Sequence, residues 1–152
     1  MNWNDLDFFP VMGEMLTAEN TLQLDFTAHN QALDSVNLSD TPEFDRFVFA
    51  QLKSAGKKYG IGGYLENRAI YRRSEVFATE SADFRNIHLG VDIWTEAGAP
   101  VFAPFAGKVH SFQDNAGFGN YGPTIILEHE IEGRTLFSLY GHLMRTDLEN
   151  LT

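Results

Sequence analysis

The chain contains no cysteine among its 152 residues. This absence excludes disulfide scaffolds, thiol nucleophiles and zinc sites built from cysteine. It does not by itself assign a redox compartment. Any metal site in this chain must therefore use histidine, carboxylate or other oxygen ligands.

Positive charge is scarce. Eleven lysines and arginines stand against 21 aspartates and glutamates, and the formal net charge is −10. A chain this acidic lacks the positive field that nucleic-acid backbones and anionic membrane surfaces require. We therefore expect no nucleic-acid partner.

Long apolar runs are also missing. No stretch of about 18 apolar residues occurs, so the sequence predicts no transmembrane helix. The opening MNWNDLDFFPVMGEML is acidic where a signal peptide is basic, and it has no sustained apolar core. As written, the chain is expected to be soluble and cytoplasmic.

What the chain does have is enough apolar material for a core. Hydrophobic residues make up 43% of it, and 13 of its residues are phenylalanine. Its character changes near residue 80, which predicts a partly helical N-terminal arm over 1–80 and a separate domain over 81–152. Within the arm, Thr41 and Pro42 suit a helix start, apolar residues follow at helical spacing, and Gly56 suits its end.

The second part of the chain has the pattern of β structure. Glu132-Gly133 separates two of its apolar runs and predicts a hairpin turn. The fold class predicted is therefore mainly β, or α+β for the whole chain. The predicted strand regions are HLGVDIWT, PVFAP, GKVHSF, TIILEHEI and RTLFSLYGHL.

A glycine-rich stretch, YGIGGYLENRAIY, precedes this domain. No Lys-Ser/Thr pair follows its glycines, so it does not have the pattern of a phosphate-binding loop. We interpret Gly60, Gly62 and Gly63 as a turn with a close backbone approach. The nearby arginines are interpreted as surface or ion-pair residues, with a substrate role as the alternative: Arg68, Arg72 and Arg73.

The stretch HLGVDIW places His88 and Asp92 four residues apart, with Gly90 between them. In a strand these positions share one face, Gly90 leaves space over it, and Trp94 extends it. An imidazole and a carboxylate that converge on open space could hold a divalent metal. The alternative is a His–Asp hydrogen bond in a buried strand, which the spacing alone favours.

The chain has four further histidines. His142 follows an apolar strand and a glycine, which suits the edge of a cleft. His129 alternates with apolar residues and is expected in the core or at a cleft edge. His110 alternates with Lys108 and is expected to be exposed, and His29 receives no role.

Four motifs in order carry a family resemblance: HLGVD, AGAPVFAPFAGKV, NYGPTIILEH and LYGHL. From His88 to Leu143 the chain resembles the lysostaphin-type (LytM-like) zinc endopeptidases, which cut peptidoglycan cross-bridges. The resemblance implies an antiparallel β-sheet that forms a groove with zinc at its floor. It implies zinc ligation by His88 and Asp92, a catalytic role for His142, and peptidoglycan or other short peptides as substrates. Tyr140 would help line the groove.

The sequence departs from this family after LYGHL. Relatives continue to an H-x-H-F motif with the third zinc ligand and a second catalytic histidine, whereas this chain ends in MRTDLENLT. A catalytic zinc site normally has three protein ligands. The expectation is an apparently truncated, weak or inactive peptidase domain. Three alternatives stay open: His129 as a substitute ligand, a ligand from a second chain, or a non-catalytic module of the same fold that binds or regulates cell-wall enzymes.

Three further expectations follow from the resemblance. Strands missing from the sheet would leave an unpaired edge, which favours a homo-oligomer. Relatives act in the cell envelope or outside the cell, which leaves localisation open because the chain shows no export signal. A carrier domain of the hybrid-motif type is compatible with AGAPVFAPFAGKV, but the ordered HxxxD and YGHL motifs disfavour it.

Overall fold

A computed structural model describes residues 5–68, 86–149 and 151. The chain divides into two compact units. One is Leu16–Ala97, and the other combines Met1–Met15 with Gly98–Thr152. The domain division into 1–80 and 81–152 remains a prediction.

The unit Leu16–Ala97 contains a three-stranded sheet and one α helix. Its strands are β1 (Thr21–Leu24), β2 (Tyr59–Gly62) and β3 (Asp92–Trp94), and its helix is α1 (Thr41–Ala55). A short 3-10 helix spans Gln31–Ser35. The strand order is β1-β2-β3, with β1 parallel and β3 antiparallel to the central strand.

Helix α1 forms where the sequence predicts it. Its N-cap is Asp40 rather than Thr41, and the Asp40 carboxylate accepts a hydrogen bond of 3.1 Å from the Glu43 amide. Pro42 occupies the first turn, where its missing N–H costs nothing. Gly56 ends the helix at φ 63°, a left-handed conformation that glycine adopts without strain.

The core of this unit is aromatic, as the phenylalanine content predicts. The ring of Phe44, on α1, lies 5.3 Å from that of Phe26 and 5.5 Å from that of Trp94, measured between centroids. Trp94 therefore packs into the core, which corrects the prediction that it extends the face shared by His88 and Asp92. The buried cluster comprises Leu24, Phe26, Leu33, Phe44 and Val48.

The second unit contains an antiparallel sheet in the order β4-β5-β6. Its strands are β4 (Lys108–Asn115), β5 (Gly122–Ile131) and β6 (Arg134–Tyr140). Glu132 and Gly133 join the last two with φ of 50° and 72°, the values of a type I′ hairpin turn. The predicted hairpin is confirmed. A short 3-10 helix spans Arg145–Leu148.

Part of the N-terminal segment belongs to this second unit. The Phe9 amide donates to the Pro104 carbonyl and the Phe102 amide donates to the Val11 carbonyl, both at 2.9 Å. The rings of Phe9 and Phe102 lie 5.2 Å apart. PVFAP is therefore bound by these two hydrogen bonds and is not a regular strand, which corrects the sequence interpretation.

The predicted fold class, mainly β with an α-helical contribution, is confirmed. Six strands and one α helix make up the regular structure of the described residues, apart from the two short 3-10 helices. The parallel pairing of β1 with β2 was not predicted. No helix in the described part of the chain is long and apolar enough to cross a membrane.

Candidate functional site

His88 and Asp92 converge within the unit Leu16–Ala97. Nε2 of His88 lies 3.5 Å from Oδ1 of Asp92. His88 precedes β3, so strand alternation is not what brings the two together. Instead, the His88 amide donates to the Glu66 carbonyl at 2.9 Å, and the Leu65 amide donates to the His88 carbonyl at 2.7 Å. The segment around Glu66 therefore positions the histidine.

The imidazole of His88 is oriented by a backbone carbonyl. Its Nδ1 lies 3.0 Å from the Gly63 oxygen, which can only accept a hydrogen bond. In the neutral ring Nδ1 therefore carries the proton, and Nε2 keeps its lone pair on the side of Asp92. This is the arrangement of a metal-ligating histidine, whose second nitrogen donates to a fixed acceptor. A Cβ at Gly90 would lie 3.2 Å from Nε2, so glycine preserves space beside that nitrogen, as predicted.

Asp92 opens β3 opposite Gly62 of β2. Its Oδ2 accepts a hydrogen bond from Nη1 of Arg68, and Nε of Arg68 donates to Glu66 Oε2 at 2.8 Å. The Arg68 side chain is only 3% exposed, whereas that of Asp92 is 36% exposed. The ion-pair interpretation is thus confirmed for Arg68, although the residue is buried and not on the surface. Arg72 and Arg73 lie outside the described residues.

Two of the three glycines before this site are in a strand and not in a turn. Gly60 and Gly62 belong to β2, which corrects the predicted turn, but the predicted close approach is confirmed. A Cβ at Gly60 would lie 2.7 Å from Cδ1 of Leu24. One at Gly62 would lie 2.6 Å from Nη2 of Arg68. Both distances are too short for a real contact, so a side chain at either position would displace the end of Leu24 or of Arg68.

His142 belongs to the other compact unit and follows β6 directly. It has φ 58°, is exposed, and donates its amide to the Tyr121 carbonyl at 2.7 Å. A residue with left-handed backbone interrupts the alternation of side chains along a strand. His142 and Tyr140 therefore do not lie on one strand face. Tyr140 lines an apolar hollow of about 140 Å³ beside Ile125, Leu127 and others, and among the described residues its hydroxyl has no hydrogen-bond partner.

His129 is a core residue. It is 2% exposed, its Nδ1 lies 3.1 Å from the Ala106 carbonyl, and its Nε2 lies 2.7 Å from the Ser138 hydroxyl. Both ring nitrogens are engaged, which argues against His129 as a substitute metal ligand. His110 and His29 are exposed, as expected for the former.

Among the residues that the structure describes, the donor set is incomplete for a catalytic zinc site. Within the ranges 5–68 and 86–149 and at residue 151, no group of three histidine, aspartate or glutamate side chains could hold a metal ion. His88 and Asp92 have the spacing and chemistry of two ligands, and they form what we call the half-site. Sequence reasoning missed Glu66 and the carbonyl of Gly63 as its supports, because their contacts join segments about 20 residues or more apart.

Comparison with known protein families gives a match to the C-terminal part of the chain. Residues 86–150 match the family model described as Peptidase family M23. The matched segment includes His88, Asp92 and His142, and it confirms the resemblance proposed from the four sequence motifs. No curated protein and no solved structure matches the chain significantly.

The geometry of His129 makes a prediction that separates a core residue from a ligand. His129→Ala leaves a cavity and removes the partner of the Ser138 hydroxyl, so we expect the free energy of unfolding to fall by about 2 kcal/mol or more. Zinc affinity should not change. His110→Ala, at an exposed position of the same sheet, should alter stability by less than about 0.5 kcal/mol. Denaturant unfolding and zinc titration measure both quantities, and a loss of zinc affinity in His129→Ala at full folding contradicts the assignment.

Proposed function

From the match of residues 86–150 to peptidase family M23, we propose that this chain carries part of a zinc endopeptidase site for peptides of the peptidoglycan cross-link type. The observation that carries the proposal is the 3.5 Å approach of His88 Nε2 to Asp92 Oδ1, with Nδ1 held by Gly63. In this proposal His88 and Asp92 are metal ligands. His142 is the general acid–base residue, which accepts and then donates a proton.

The chemistry follows from the kinds of residue present. Zinc, when bound, supplies Lewis acidity that polarises a peptide carbonyl and makes water more acidic. An exposed imidazole such as that of His142 can accept a proton from an attacking water and return it to the leaving amine. The fixed tautomer of His88 keeps Nε2 available for a metal without reorientation.

The described residues offer two protein ligands, which limits the metal chemistry we propose for this chain alone. A catalytic zinc normally has three protein ligands and one open position. In this proposal the third ligand comes from another chain. We therefore expect weak zinc binding and weak or no hydrolysis by the isolated chain.

A non-catalytic module is the second candidate function. The feature that favours it is the absence, among the described residues, of any group of three side chains able to hold a metal. Such a module would bind peptidoglycan peptides or cell-wall enzymes without cutting a bond. Zinc binding and peptide hydrolysis distinguish it from the peptidase.

Zinc titration tests the half-site. Calorimetry on the full chain should give one zinc per chain, and both His88→Ala and Asp92→Asn should weaken binding by about 100-fold or more, because each removes a ligand. His29→Ala is the control, since His29 is exposed and lies in the same compact unit. Zinc binding that survives both half-site substitutions, or that is lost in the control, contradicts the proposed ligands.

The role of His142 is tested by hydrolysis of peptidoglycan-derived peptides at saturating zinc. Loss of a general acid–base residue typically costs about 10²- to 10⁴-fold in rate, so His142→Ala should lose turnover while its zinc affinity stays unchanged. His110→Ala provides an exposed histidine control from the same unit. Turnover that is retained in His142→Ala contradicts the assignment, and peptide binding by the parent chain without zinc binding or turnover favours the module.

The expected homo-oligomer is also part of this proposal. Strand β6 lies at the edge of its sheet and carries Phe137 and Leu139, which are 57% and 49% exposed. An exposed apolar edge strand is a template for pairing with a second copy. Light scattering should report a dimer or larger species, and Leu139→Lys should shift it towards monomer, with Met144→Lys, at an exposed apolar position outside β6, as control. A parent chain that is monomeric at all concentrations contradicts this expectation.

A further inference from the structure

The guanidinium of Arg68 joins two carboxylates in the buried part of the unit Leu16–Ala97. Its Nη1 donates to Oδ2 of Asp92, and its Nε donates to Oε2 of Glu66 at 2.8 Å. The guanidinium carbon lies 5.5 Å from the centroid of the Phe26 ring. An arginine fork has a fixed planar geometry, so contacts on several sides leave the guanidinium little freedom.

Glu66 is itself held in place. Its Oε1 accepts a hydrogen bond of 3.0 Å from the Phe26 amide, and its side chain is only 9% exposed. Its backbone carbonyl accepts the amide of His88 at 2.9 Å. Glu66 therefore holds Arg68 through its side chain and His88 through its backbone. Because Arg68 in turn contacts Asp92, Glu66 connects the two residues of the half-site.

Gly62 makes room for this arrangement. It lies opposite Asp92 in the β2–β3 pair. A Cβ at position 62 would lie 2.6 Å from Nη2 of Arg68 and 3.3 Å from Cβ of Asp92. Any side chain at this position would push the guanidinium away from the carboxylate, so the position of Arg68 depends on a glycine on the neighbouring strand.

We propose that Arg68 is a positioning residue for the half-site. By holding Oδ2 of Asp92, it turns Oδ1 towards Nε2 of His88, so that Asp92 offers a metal one oxygen and not two. Arg68 acts through Asp92 and does not itself contact the metal. The inference rests on the proposed zinc site and deepens it, because it identifies which atom of Asp92 is the ligand and what orients it.

Arg68→Lys tests the inference in the full chain. Lysine keeps the positive charge but cannot bridge two carboxylates with a planar fork, so the charge near the metal is unchanged while orientation is lost. We expect zinc affinity to fall by about 10- to 100-fold, the usual effect of losing a residue that orients a ligand. Arg46→Lys is the matched control, on the exposed face of α1 in the same unit, and should bind zinc as the parent does.

Gly62→Ala is the second variant, because it displaces the guanidinium without removing any charge or donor. It should weaken zinc binding as Arg68→Lys does. Both variants are compared with the parent at a temperature where circular dichroism reports full folding. If either variant folds fully and binds zinc as tightly as the parent, the positioning role is overturned.

A metal-free measurement separates failure of this inference from failure of the zinc site. In a double-mutant cycle, Arg68→Lys and Asp92→Ala are combined and the unfolding midpoint of each variant is measured. We expect the effect of Arg68→Lys to shrink markedly when Asp92 is absent. If the parent binds no zinc, the proposed metal site fails, and the cycle alone decides whether Arg68 positions Asp92. Additive effects in that cycle overturn the inference.

Discussion

A single buried positive charge organises the candidate site. A guanidinium removed from water needs acceptors for its donors, and Arg68 donates to Glu66 on one side and to Asp92 on the other. Removal of either carboxylate would leave a partly uncompensated charge under the sheet. The position of Asp92, and with it the approach to His88, depends on this ion pair.

Strand β2 and the residue that follows it, Gly63, leave space for this charge and orient its neighbours. Gly62 admits the guanidinium, and the carbonyl of Gly63 orients the imidazole of His88. Gly60, two residues earlier, admits Leu24 from the neighbouring strand. The glycines thus serve two purposes. Gly60 allows core packing by Leu24, whereas Gly62 and Gly63 position Arg68 and His88 in the site. This explains why a glycine-rich segment of this chain is a strand and not a phosphate-binding loop.

Much of the regular structure could be predicted from local pattern. The helix from Thr41 to Ala55 has its stop signal, its proline and its apolar spacing in one continuous segment. The hairpin at Glu132 and Gly133 is equally local, since a type I′ turn has a recognisable composition. Pairings between distant segments were not predictable, and β1 with β2 is the clearest case. Which distant strands pair is determined by the packing of the unit and not by their proximity in the sequence.

The sequence by itself determined which chemical groups are available. The chain is acidic and has no thiols, and its ordered motifs identify His88, Asp92 and His142 as candidate site residues. Only the tertiary structure decided which groups meet. It brought His88 to Asp92 through the backbone of Glu66 rather than through strand alternation, and it engaged both nitrogens of His129 in the core. The reason is that side-chain spacing within one strand is local, whereas a carbonyl or guanidinium from another segment is placed by the packing of the whole unit.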